Sequence, residues 1–279
     1  SLSKNFDSFF TFYQNLDDGG VYLRIPEQQL GAELIYTATV TDGVVATGLF
    51  RGQYRDNKVL KLQRHFNRIE VVQPNTRFYF DPNSPLSRAA DANAPDAVLA
   101  VMEIVAEDPE LATSQSTDKT QSGAVLVKFS PVLLSENLVQ IKPAKNPEVA
   151  PGSQLTLGKF SKERSKVARL ASYPDNALVF TDLVYELAAP LVAGGDDVTA
   201  ARAITASVQH SFIKMPDDDY QPRRDDYRVG FFSDRVTDLT SRDPAPYRDL
   251  INRWHLVKKN PELAVSDPVE PIAWWLENT

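Results

Sequence analysis

Short stretches in which apolar and polar residues alternate, cut apart by glycine- and aspartate-rich turn dipeptides, recur along the chain and commit it to antiparallel β structure. Asp17-Asp18-Gly19-Gly20 leads into Val21-Tyr22-Leu23-Arg24-Ile25, where Val21, Leu23 and Ile25 share one face. Residues 32–40 form a second such run and end at Thr41-Asp42-Gly43, a hairpin signal. Arg55-Asp56-Asn57-Lys58 reads as a polar turn between 49–54 and 59–66, and 69–72 continues the meander. A further pair, 177–187 and 203–213, spans the loop containing Gly194-Gly195-Asp196-Asp197.

Helical periodicity is scarce. The clearest case is 162–171, where Ser161 could cap and Val167, Leu170 and Ala171 make a narrow apolar stripe. Residues 96–107 suit either a helix or a buried strand, and their β-branched content between Pro95 and Pro109 favours the strand. Polar residues 107–121 and the proline-rich stretch 143–152 read as surface connections. The expected architecture is α+β, predominantly antiparallel β sheets with few short helices. Its expected divisions are an N-terminal β-rich subdomain over 1–150, a second β-rich subdomain with one helix over 151–265, and the start of a following domain over 266–279. The two subdomains could equally form one continuous domain.

Composition removes several functions. With no cysteine there is neither a thiol nucleophile nor a cysteine-ligated zinc. A net charge of −7 argues against nucleic acid as a partner. No apolar run approaches the roughly 20 residues of a spanning helix.

The motifs of hydrolytic chemistry are equally scarce. His65, His210 and His255 lie too far apart for any pair to share a helical turn, so no helical zinc-binding pair exists. His210 shares a strand face with Ile204, Ala206, Val208 and Phe212, the pattern of a hydrogen-bonded core histidine. There is no glycine-flanked serine elbow and no phosphate-binding glycine loop. The densest charged feature is Asp217-Asp218-Asp219 followed by Arg223, Arg224, Asp225, Asp226 and Arg228. It lacks the glycine and terminal glutamate of a calcium loop, so a solvated loop with local ion pairs is the plainer reading.

The stretch Tyr220-Gln221-Pro222-Arg223-Arg224-Asp225-Asp226-Tyr227-Arg228-Val229-Gly230-Phe231-Phe232 resembles a signature found ahead of the protease domain in large bacterial zinc-dependent metallopeptidases of the metzincin-like kind. Five further elements resemble that family in the same order. They are Phe9-Phe10-Thr11-Phe12 through Pro26, Asp81-Pro82-Asn83-Ser84-Pro85-Leu86-Ser87-Arg88, Ser172-Tyr173-Pro174-Asp175-Asn176, Ile251-Asn252-Arg253-Trp254-His255-Leu256, and the segment from Glu270-Pro271-Ile272 to Thr279. The last reads as an aromatic-rich strand with Trp274 and Trp275 on opposite faces, and by this reading the natural polypeptide continues beyond it.

The resemblance implies an N-terminal domain of uncharacterised function that is not itself an enzyme. Its expected partner is the chain's own downstream protease domain, with a peptide substrate as a further one. Zinc is expected in that downstream domain and no cofactor in this segment; a secreted or periplasmic location is implied by resemblance alone. No catalytic or metal residue carries over. If the module enforces latency, Asp217, Asp218, Asp219 and Asp226 are the candidate carboxylates, with Arg223 and Arg228 structuring their loop. Trp254, Trp274 and Trp275 are the candidate interdomain contacts. The alternative expectation is an independent peptide- or carbohydrate-binding β domain using exposed aromatic rings.

Overall fold

The computed structural model describes residues 3–6, 8–89, 94–108, 123–144, 148, 150, 152–216, 228, 232–243, 246–251, 254–255 and 277–278. In chain order its elements are β1 (Ser3–Phe6), β2 (Thr11–Asn15), β3 (Val21–Pro26), β4 (Glu33–Asp42), β5 (Tyr54–His65), β6 (Arg68–Gln73), β7 (Phe78–Tyr79), β8 (Ala97–Glu107), β9 (Ala124–Lys128), the single-turn α1 (Ser130–Leu133), β10 (Lys159–Ser172), β11 (Asn176–Glu186), β12 (Ala203–Lys214), β13 (Ser233–Asp238), β14 (Tyr247–Ile251), β15 (Trp254–His255) and β16 (Glu277–Asn278). Strands dominate the described residues, and the α-helix among them is one turn, so the fold is nearly all-β rather than α+β.

The chain divides into two compact units, Ser1–Pro74 with Asp96–Pro216, and Asn75–Pro95 with Asp217–Thr279. The boundary expected near residue 150 therefore falls inside the first unit. The proline-rich stretch around it links strands of one sheet, because β9 and β10, on either side of it, both belong to the eleven-stranded order β1-β2-β3-β9-β8-β6-β5-β4-β12-β11-β10.

That sheet is rolled, and its two edges meet at one end. Phe9 N donates to Tyr173 O at 2.9 Å, Phe10 N to Ser172 Oγ at 3.2 Å, and Ser172 Oγ donates to Phe10 O at 2.8 Å. Period-two alternation sends one face inward: Val21, Leu23 and Ile25 from β3, Leu34, Tyr36, Ala38 and Val40 from β4, Ile204, Ala206 and Val208 from β12. At its centre Phe10, Phe12, Tyr36, Phe129 and Phe212 pack ring to ring, with centroids 5.3 to 6.3 Å apart. Such pairs contribute about 0.5–1.5 kcal/mol each beyond area burial.

Two expectations on local structure are corrected. Residues 162–171 are not a helix but part of β10. Register shifts between Ser161 and Lys166 and between Val167 and Arg169 space its inward residues Ser161, Ser165 and Leu170 four and five apart. Bulges thereby convert a strand's period of two into one that imitates a helix. Arg55-Asp56-Asn57-Lys58 is not a turn either, for it lies within β5, where Lys58 pairs with Tyr36 and Asp56 with Ala38 across the ladder. Tyr36 and Ala38 face the interior, so Asp56 and Lys58 do too. Residues 96–107 are the strand β8, as their β-branching indicates.

The second unit holds a three-stranded sheet, β14-β13-β7, with β13 antiparallel to β14 and parallel to β7. A separate two-stranded ladder joins β15 and β16 through Trp254 with Asn278 and His255 with Glu277.

Candidate functional site

The charged and hydroxyl groups that gather inside the rolled sheet come from strands far apart in sequence. His210 on β12 is 1 % exposed. Its Nδ1 lies 2.8 Å from the Tyr36 hydroxyl on β4, and its Nε2 lies 3.0 Å from Thr181 Oγ1 on β11. A neutral imidazole offers one donor and one acceptor, and two hydroxyls satisfy both in either tautomer. Burial disfavours the charged ring and pushes its pKa down to about 4. The Tyr36 phenol is pushed up, first by burial and then by the nearby Asp56 carboxylate. The core-histidine reading of the sequence thus describes its environment.

A strap formed by residues 134–142 closes the interior. Its backbone carbonyls, which no strand ladder serves, are met by cations from β5: Lys58 Nζ donates to Leu138 O at 2.8 Å, and Arg55 donates to Gln140 O and Ile141 O, each at 3.0 Å. Lys58 also pairs with Asp56 at 2.7 Å. Glu136 Oε1 accepts from Ile141 N, Lys142 N and the Tyr185 hydroxyl at 2.9, 2.7 and 2.9 Å. Burial, then the Glu136 charge and hydrogen bond, raise the Tyr185 phenol, partly offset by Arg55. At the end of the strap, Lys142 Nζ donates to Gly158 O at 2.7 Å. A Cβ on Gly158 would lie 1.8 Å from Glu186 O, so only glycine lets the returning chain approach β11 this closely.

Leu138, Val139, Ile141, Leu155 and Leu157 join the same core, so the chain fills its own barrel. An apolar cavity bounded by Phe10, Leu34, Leu62, Leu138 and Phe212 measures about 10 Å³, room for no more than a water-sized group. The arrangement holds a neutral imidazole in place and cements the strap.

The other residues singled out from sequence are not brought together by the described structure. His65 is exposed beside the β5–β6 turn, edge-on to Phe66 at 4.8 Å. His255 and Trp254 lie on β15, described as backbone alone. Arg228 sits in a turn. Asp217, Asp218, Asp219, Arg223, Asp226, Trp274 and Trp275 lie outside the described residues. Among the described residues no group of three or more histidine, aspartate or glutamate side chains could hold a metal ion, and no helix is long and apolar enough to cross a membrane.

Sequence reasoning missed Tyr36, Thr181, Arg55, Asp56, Lys58, Glu136 and Tyr185. A signal for two of them exists, because Asp56 and Lys58 continue the same alternating face as Leu60 and Leu62. Nothing local marks Glu136, whose partner Tyr185 is 49 residues away.

Three of the motifs that resemble the metallopeptidase family have contacts among the described residues. The opening hairpin and the Ser-Tyr-Pro turn meet at Phe9, Phe10, Ser172 and Tyr173 to close the rolled sheet. In the second unit Asp81 of the Asp-Pro element donates its N–H to Thr240 Oγ1 at 3.1 Å. Comparison with curated proteins and with solved structures finds no match to this chain. A family model matches residues 52–259, three quarters of the chain, and the chain belongs to that family, described as a domain of unknown function, DUF5117.

Proposed function

We propose that this chain is a non-catalytic N-terminal module of a zinc-dependent metallopeptidase, packing on the protease domain that follows it and supporting or regulating that domain. The observation that supports this reading is the packing of the interior, where the strap residues Leu138, Val139 and Ile141 join the core formed by the described strands. The ordered resemblance of six elements supplies the partner's identity, and two of those elements serve to close the rolled sheet, as a scaffold requires. His210 spends both ring nitrogens on hydroxyls and His65 stands beside a surface turn. On this reading the metal belongs to the protease domain, and the module acts through contact. A location outside the cytoplasm, secreted or periplasmic, follows from the same resemblance. A latency role would fall to Asp217, Asp218, Asp219 and Asp226, with Arg223 and Arg228 holding their loop and Trp254, Trp274 and Trp275 at the junction.

A second reading, an independent peptide- or carbohydrate-binding β domain, draws on the exposed rings of Phe50, Phe66 and Tyr173. Titrating this chain against the separately produced protease domain distinguishes the two. Support or regulation predicts a raised melting temperature or an altered rate of zinc-dependent peptide hydrolysis. Unchanged melting and unchanged rate at saturating chain would sink the first reading, and saccharide or peptide binding by the chain alone would favour the second.

A further inference from the structure

We propose that the Tyr36–His210–Thr181 contact is an acid-sensitive latch that holds together the β4–β12–β11 wall of the rolled sheet and loosens it as pH falls below neutrality. The contact spans three adjacent strands, with His210 opposite Ala38 on β4 and opposite Val179 on β11. Both ring partners are hydroxyls, which satisfy the hydrogen bonds of the ring but carry no charge to balance an imidazolium.

Other titratable groups directed to this interior are already engaged. On β4 the group is Tyr36 itself. From β5, Asp56 and Lys58 pair with each other at 2.7 Å, and Arg55 is held on the carbonyls of Gln140 and Ile141. From β11 comes Tyr185, whose hydroxyl is bound by Glu136 of the strap, and that same carboxylate oxygen also takes two backbone N–H groups. On β12 the inward neighbours of His210 are Val208 and Phe212. Among the described residues both carboxylates of the layer are thus committed, and an imidazolium formed inside finds no free counter-charge among them. Protonation is relieved by opening the wall so that the ring reaches water.

The sign follows from linkage. Folded His210 titrates at about 4, well below the roughly 6.5 of an exposed imidazole, so across that interval the opened chain binds more protons and stability falls with pH. The device stands apart from the proposed partnership with a protease domain, since it is a property of the barrel alone.

The test compares the chain with its His210→Gln variant by urea unfolding at pH 6.5 and pH 5, a window above most carboxylate titration. The unfolding constant of the native chain should rise about tenfold more than that of the variant over this interval. Equal changes in the two proteins would overturn the proposal. NMR of the native chain with ¹⁵N-labelled histidine decides the matter if the variant does not fold. Ring signals of His210 that stay in the neutral form down to pH 5 while the fold persists support the latch. A protonation midpoint near 6.5 in the intact fold overturns it.

Discussion

The rolled sheet and the smaller unit are built by different physics. In the first, alternating strands and the strap bury a continuous apolar core, and His210, Lys58 and Glu136 inside it are tied to partners distant in sequence. In the second, none of the described residues belongs to the buried apolar core, and the buried residue is a charged one, Asp238, 3 % exposed. Its Oδ1 accepts from Thr240 N at 3.0 Å and Thr240 Oγ1 at 2.6 Å, while Oδ2 pairs with Arg248. Arg248 lies over the Tyr79 ring at 4.4 Å. Arg235 grips Asp249 with two bonds, at 2.8 and 3.0 Å, and sits over Tyr247. Phe78, Phe232, Leu239 and Tyr247 remain exposed there. The contrast teaches that a short β ladder can be fixed by oriented charge where apolar burial is thin, at the cost of a smaller stabilisation per contact.

Substitutions can break that contrast. The largest effect should come from the barrel: Phe12→Ala removes a fully buried ring stacked on Phe129 at 6.3 Å and should destabilise by about 3–5 kcal/mol in urea unfolding. A loss under about 1 kcal/mol would mean that the aromatic cluster is not the core's keystone. Next comes Asp238→Ala in the smaller unit, which strands the Thr240 donors and the Arg248 guanidinium and should cost about 1–3 kcal/mol, seen as faster amide exchange across β13 and β14 with the barrel's amides unaffected.

The same carboxylate gives a pH signature. Burial raises its pKa, but the hydrogen bonds from Thr240 and the Arg248 guanidinium outweigh burial and leave it below the usual carboxylate value. Its contribution is therefore present above about pH 4 and lost as pH falls below that, a lower window than that of His210.

The smallest effect has the opposite sign. Phe66, in the turn between β5 and β6, has φ 53°, a left-handed backbone, and is 81 % exposed. Phe66→Gly should relieve about 1 kcal/mol of strain and raise the melting temperature slightly. A lower melting temperature would show that the edge-on His65 contact at 4.8 Å outweighs the strain.

How much of this was legible depends on whether the deciding contact is local. The strands β3, β4, β11 and β12 could be read directly, because alternation along one segment records which face is buried. His210 could be placed on the core face for the same reason, yet its partners Tyr36 and Thr181 could not, since they lie 174 and 29 residues away. The charged run in β5 looked like a turn because charges rarely enter a core. It enters this one because the strap's carbonyls, 80 to 86 residues on, need donors there. The helix expected at 162–171 failed because bulges altered the spacing of buried residues, and a bulge is set by the neighbouring strand.

By itself the sequence determined that the chain would be antiparallel β, that it would carry no cysteine chemistry, and where most of its inward faces would fall. Tertiary structure alone decided that eleven strands would roll into one sheet closed by Phe9, Phe10, Ser172 and Tyr173, that the stretch around residue 150 would join rather than divide, and that buried charge would cement a strap. The reason is one of range. Periodicity is a property of neighbours in sequence, whereas the desolvation of an ion or a carbonyl is offset only by whatever the fold carries to it.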